Sequence, residues 1–202
     1  MTNESAVARV TAHYPPAEIS PGEFEEFVTE LLGSAQQFVT DLKITLHEKI
    51  EGIDGTYDFD ATVRYTFAGM SFLLLVEAKR HKNPIKRELI QILYQKVQSV
   101  GGHKGVMFST APYQRGALEF ARKHGIALAT VTEGRFTYET KSWNKPPPLS
   151  REAAARLGFP TFVGHHYGIG SEPNSTSLTL LSPEYPEYVA DLLFDCSIAE
   201  EM

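Results

Sequence analysis

The 202-residue chain has one cysteine, Cys196. A single thiol excludes an internal disulfide and a zinc site built from cysteines. No stretch approaches the roughly eighteen consecutive apolar residues of a membrane-spanning helix, and the opening MTNESAVARV lacks the apolar run of a secretory leader. A cytoplasmic protein without membrane contact is therefore expected. Repeats and low-complexity tracts are absent too. Beyond Arg156 there is no Lys or Arg at all, while that segment carries seven acids.

That last absence changes the meaning of the net charge of −6. The first 156 residues hold all 19 basic residues and 18 of the 25 acids, a balance of +1. From Lys79 to Lys104 seven bases (Lys79, Arg80, Lys82, Lys86, Arg87, Lys96, Lys104) accompany one acid, Glu88. A polyanion would be attracted to this stretch and repelled by the tail. Taken alone, such a run is also what a solvated lysine face looks like.

Punctuation divides the chain into elements. Residues 1–19 lack periodicity and form an N-terminal arm. In SPGEFEEFVTELLG, Ser20 and Glu23 make a capping box around Pro21. Phe24, Phe27, Val28, Leu31 and Leu32 form the buried stripe of that helix, and Glu25 lies at the stripe's edge. LKITLHEKI alternates as a strand with Leu42, Ile44 and Leu46 inward, and an Asp-Gly turn follows. In YDFDATVRYTF, alternation puts Tyr57, Phe59, Ala61, Val63 and Tyr65 on one face and Asp58 and Asp60 on the other. LLLVEAK is a strand apolar enough to be buried on both sides. Asn83 and Pro84 open a helix with Ile85, Leu89, Ile92, Leu93, Val97 and Val100 on its apolar face, stopped by Gly101 and Gly102. KGVMFST, YQRGALEFARKHG and IALATV read as strand, helix and strand. RFTYET suggests a further edge strand.

The expected architecture is a three-stranded meander running into parallel βαβαβ, with one helix in front. Residues 20–142 form the core. Three prolines in NKPPPLS mark a boundary, and residues 143–202 form a proline-led acidic appendage. It contains a short helix in SREAAARLG, a loop in GHHYGIGSEPNSTS and a helix in PEYVADLLFD. His165 and His166 fall in that loop without a third ligand at zinc spacing.

Chemistry is concentrated where LLLVEAK ends. Glu77 and Lys79, two apart on a strand, point the same way. The neighbouring strand brings Asp58 or Asp60 within side-chain reach. Two carboxylates with room for water suit Mg²⁺, with Mn²⁺ a possible substitute. A metal acidifies bound water and offsets charge on a phosphate under attack, and a lysine orients the water. An acid-x-Lys triplet by itself is common, and a structural ion pair is its most frequent meaning.

The ordered set FEEFVTELL, GTYDFDATVRY, LLLVEAKRHKNPIKRELIQILYQKVQSVGGHKGVMFSTAPYQRGALEFARKHGIAL is more specific. It resembles the restriction-endonuclease-like (PD-(D/E)xK) superfamily, and most closely its Mrr-type branch, over roughly residues 20–133. The resemblance implies an α/β fold with an αβββαβ core, a mixed central sheet flanked by helices. It places Glu25 as the helix acid, Asp60 and Glu77 as metal ligands and Lys79 as the lysine. Asp58 competes with Asp60, the proline before the aspartate is absent, and Tyr113 stands where the family tends to have phenylalanine. The implied activity is a Mg²⁺-dependent endodeoxyribonuclease of the restriction or defence type. Arg80, Lys82, Lys86, Arg87, Gln95 and Lys96 would contact DNA. A homodimer is expected, with a protein partner that supplies target recognition. Alternatives are a repair or junction-resolving nuclease, an RNA-cleaving enzyme, or a non-catalytic nucleic-acid-binding subunit of the same fold.

Overall fold

The computed structural model describes residues 17–136, 149–169 and 176–194. Helix α1 (Pro21–Ser34) starts at the capping box read from the sequence. The Ser20 N–H donates to Glu23 Oε2 (2.8 Å) and the Glu23 N–H to Ser20 Oγ (3.2 Å). All five stripe residues are buried. Strands β1 (Thr40–Glu51), β2 (Thr56–Phe67) and β3 (Met70–Lys79) form the meander. Then follow α2 (Arg87–Ser99), β4 (Lys104–Ser109), α3 (Arg115–Lys123) and β5 (Ala127–Glu133). The expected αβββαβ order is present, in a mixed sheet. Its first three strands are antiparallel and β3, β4 and β5 run parallel.

Past β5 the structure departs from the sequence reading. Residues assigned there to a loop continue the sheet as β6 (Phe162–Ile169) and β7 (Thr176–Leu181), both antiparallel. Seven strands stand side by side in sequence order. Helices α4 (Arg151–Arg156) and α5 (Pro186–Phe194) are where sequence placed them. Val189, Ala190, Leu192 and Leu193 of α5 join the core beside α1. Arg135 and Phe136 belong to a 3₁₀ turn; the remainder of the expected edge strand, most of the arm, the prolines 146–148 and Cys196 lie outside the described residues.

Two apolar layers flank the sheet. Helices α1 and α5 cover one face with Leu74 and Val76, and α2 and α3 cover the other with Leu75 and Leu128. Helix α2 lies close because Gly102 and Gly105 are bare. A Cβ on Gly105 would come within 3.0 Å of Val97 and 3.2 Å of Leu93, both on α2, and one on Gly102 within 2.8 Å of Leu75 on β3. Gly101, at φ 68°, ends the helix, as its position in the sequence implies.

The start of α2 is three residues later than Pro84 suggests. Ile85 makes a strand-like bridge to Tyr113, its N–H donating to Pro112 O (2.8 Å) while its carbonyl accepts from Gln114 N–H (2.9 Å). The helix buries Ile90, Leu93 and Val97 and leaves Ile92 52% exposed.

Alternation in β2 also breaks. Ala61, Val63 and Tyr65 pack on the α1 face as grouped, but Phe59 packs on the α2 face. The β2–β3 ladder stops at Ala61↔Val76. Across β1–β2, Leu46↔Ala61 and Glu48↔Phe59 flank the level of His47 and Asp60, and His47 has φ 49°. Both strands turn over there, and Leu46, expected inward, is 43% exposed.

Candidate active site

Strand β3 emerges from the core with Leu74, Leu75 and Val76 fully buried, and its next residue on the α2 side is Glu77, 5% exposed. Burying a carboxylate is costly unless it is paired. Glu77 is paired twice. Lys79 Nζ donates to its Oε2, and Lys96 Nζ, from α2, donates to its Oε1 at 2.5 Å.

Asp60 reaches the same place from β2. Its Oδ2 accepts the Ala78 N–H (2.7 Å), beyond the last β2–β3 pair, and lies 3.4 Å from Lys79 Nζ. Asp60 and Glu77 thus face one ammonium from adjacent strands and share a layer. Burial pulls the Lys79 pKa down, but the hydrogen bond and charge of Glu77, joined by Asp60, outweigh it and hold the pKa above its usual value. Two carboxylates and two ammonium groups form a formally neutral cluster, packed on Phe59, whose ring centroid is 5.3 Å from Lys96 Nζ.

Not every residue singled out in the sequence joins the cluster. Asp58 is exposed, and it contributes its carbonyl, which accepts from Lys96 Nζ (3.1 Å). Glu25 Oε2 lies 3.5 Å from His47 Nε2. Among the described residues no hydrogen bond or ion pair joins Glu25 to Asp60, Glu77 or Lys79. His47, at the level of Asp60 on β1, went unnoticed in the sequence because nothing in its spacing sets it apart. Lys96, a candidate phosphate contact by sequence, has its ammonium in the cluster.

Of the other bases in the stretch, Lys82 and Lys86 are exposed. Arg80 donates to Ile19 O (3.1 Å), and the Arg87 guanidinium lies 5.1 Å from the centre of the Phe120 ring. Gln95 is exposed. His165 is buried on β6, with Nε2 2.7 Å from Thr132 Oγ1, and burial lowers its pKa to about 4.

The donor set suits a hard cation of modest demands. Mg²⁺ retains several waters and needs one or two carboxylates, and Asp60 and Glu77 supply two on one side. Among the described residues no group of three or more His, Cys, Asp or Glu is placed to hold a metal. No helix among them is long and apolar enough to cross a membrane.

Comparison with known proteins gives one family match. A family model named Mrr_cat and described as a restriction endonuclease matches residues 16–133. Among solved structures, the chain is similar to AF1548, a protein of unknown function. The two are 17% identical with a TM-score of 0.43 over 52% of this chain and 54% of that one. It is also similar to the DNA modification-dependent restriction endonuclease AspBHI, at 17% identity and a TM-score of 0.33 over 62% of this chain and 32% of that one. The match thus spans about half of the first protein and a third of the second. No curated protein matches the chain.

Proposed function

Because the chain belongs to this Mrr-type restriction-endonuclease family, we propose that it is a metal-dependent endonuclease that hydrolyses DNA phosphodiester bonds at the Asp60–Glu77–Lys79 cluster. The observation that carries this reading is the convergence of Asp60 and Glu77 on Lys79. A structural ion pair would need only one of the two carboxylates.

Asp60 and Glu77 would hold the metal, Mg²⁺ or Mn²⁺. When bound, it would acidify water and offset the charge gathering on the phosphate. Lys79, kept protonated by its neighbours, orients the attacking water and donates toward the phosphate oxygen that gains charge. Water attacks phosphorus in line with the 3′ oxygen; the P–O3′ bond breaks and the 3′ oxygen takes up a proton, which leaves a 5′ phosphate and a 3′ hydroxyl. The exposed Lys82 and Lys86, a few residues past Lys79, favour the DNA backbone on this side. Glu25 acts at the margin, with His47. The same proposal includes a homodimer with one site per strand, a nuclease core at residues 20–142, and a role in defence against foreign DNA.

Plasmid incubation with Mg²⁺, Mn²⁺ or EDTA tests the reading. Nicking by the wild type with either metal, none in EDTA, and none by Asp60→Ala or Lys79→Ala is expected. Equal nicking by all three proteins would remove it.

A further inference from the structure

Glu77 has two oxygens with unequal partners, and the difference has a consequence for how it binds a cation. We propose that Lys96 is a positioning residue that restricts Glu77 to coordination through one oxygen, Oε2. This rests on the metal-dependent reading above.

Lys96 is the more firmly held of the two lysines. Its ammonium donates to Glu77 Oε1 (2.5 Å) and to the Asp58 carbonyl (3.1 Å), and it sits 5.3 Å from the centre of the Phe59 ring. Its backbone is carried by α2, anchored at either side by buried Leu93 and Val97. The turnover of β2 at Asp60 is what brings both Phe59 and the Asp58 carbonyl to this face. Lys79, by contrast, ends its strand and reaches Asp60 at 3.4 Å. An arriving cation competes with the ammonium that bridges the two carboxylates, which is Lys79. Lys96 lies on the far oxygen of Glu77 and has two further attachments that do not involve the carboxylates. It stays, and Oε1 stays with it.

One-oxygen coordination favours small cations. Mg²⁺ takes carboxylate oxygens singly in a strict octahedron, whereas Ca²⁺ accepts six to eight ligands and readily takes both oxygens of a carboxylate. Lys96 therefore raises the preference for Mg²⁺ over Ca²⁺. A lysine that served only to balance charge would weaken both divalent ions alike, so the ratio of affinities separates the two roles.

The test uses the intact chain without DNA, titrated calorimetrically with MgCl₂ and with CaCl₂, as wild type and as Lys96→Met. Partners behind a metal ligand typically change affinity by about 10–100-fold. A shift of the Ca²⁺-to-Mg²⁺ affinity ratio toward Ca²⁺ by about tenfold is expected in the variant. A second measurement needs no variant: the Ca²⁺-minus-apo infrared difference spectrum of the wild type. There the antisymmetric and symmetric carboxylate stretches should show the wide splitting of one-oxygen coordination. An unchanged ratio in folded Lys96→Met, or the narrow splitting of two-oxygen coordination in the wild type, overturns the inference while leaving the nuclease reading intact. Wild type that binds neither ion removes both, and that result appears before any variant is made.

Discussion

Phe59 and Ala61 are two residues apart on β2 yet pack on opposite faces of the sheet. A regular strand would put them on the same face. The residue between them, Asp60, lies at the level where β2–β3 pairing ends and where His47 takes a left-handed conformation on the neighbouring strand. Asp60 is thereby released from a plain strand position, and its carboxylate takes the Ala78 N–H at 2.7 Å while facing Lys79.

Two jobs for one carboxylate can be separated by substitution. Asn at position 60 keeps an acceptor for the Ala78 N–H but loses the charge; Ala loses both. Asp60→Asn should leave stability within about 1 kcal/mol of wild type, whereas Asp60→Ala should cost about 2 kcal/mol, the range for a hydrogen bond to a charged group. Both should lower nicking by about a hundredfold or more, since even the groups behind a metal ligand are worth 10–100-fold. Urea denaturation and plasmid assays on the same preparations check this. Equal stability of the two variants would mean that Asp60 does not hold the strand end.

The β2–β3 turn offers an independent test of backbone strain. Ala68 and Gly69 have φ of 49° and 77°, the two positive angles of a tight turn in which Asn-Gly is preferred. A left-handed alanine costs roughly 1–2 kcal/mol, and asparagine tolerates the conformation better. Ala68→Asn should stabilise the chain by about 0.5–1 kcal/mol, read as a rise in the urea midpoint at unchanged slope, with cleavage unaffected. A lowered midpoint would show that Ala68 is not strained.

How much of this was visible in the sequence depends on how local the cause is. The start of α1 is written in Ser20, Pro21 and Glu23, and the end of α3 in Gly125; these signals act within one turn and were read correctly. Glu77 and Lys79 share a face because they are two apart on a strand, and that too needs no tertiary information. The turnover at Asp60 carries no such signal, since Phe59 and Ala61 suit either face and the positive φ falls on a histidine. Lys96 reaches Glu77 from 19 residues away, a tertiary contact that no local signal announces. Strand β6 is hard to read because Gly164, His165, His166 and Gly168 break up any run of strand-favouring residues. Its Gly164 is selected by a neighbour, Leu181, whose Cβ would lie 3.1 Å from an added Cβ.

His165 should make the fold sensitive to mild acid. Burial lowers its pKa from 6.5 to about 4, so the folded chain keeps it neutral where the unfolded chain protonates it. The unfolded state then binds more protons between pH 6.5 and about 4, and stability falls as pH drops through that window, by up to about 3 kcal/mol. Below pH 4.5 a second loss begins. Burial raises the pKa of Glu133, but hydrogen bonds from Arg151, the Glu18 N–H and Arg135 outweigh it and hold the pKa below 4.5. Urea denaturation at pH 7, 5.5 and 4.5 should show the first loss in wild type and much less of it in His165→Gln. Parallel pH dependence in the two proteins would place the sensitivity elsewhere.

Lys79 distinguishes charge from shape. Its single ammonium fits between Asp60 and Glu77 as a point charge, whereas a guanidinium is planar and wider. Lys79→Arg should therefore keep the cluster neutral and the fold close to wild-type stability, yet lower nicking at least tenfold, because the group that orients water no longer fits the gap. Lys79→Met should lose nicking by about a hundredfold or more, as for loss of a donor to developing charge. It should also destabilise the chain by about 1–3 kcal/mol, because buried Glu77 would keep Lys96 but lose its second partner. If arginine restored full activity, position 79 would act through charge alone, and the close approach of Asp60 and Glu77 to one small cation would have no catalytic purpose.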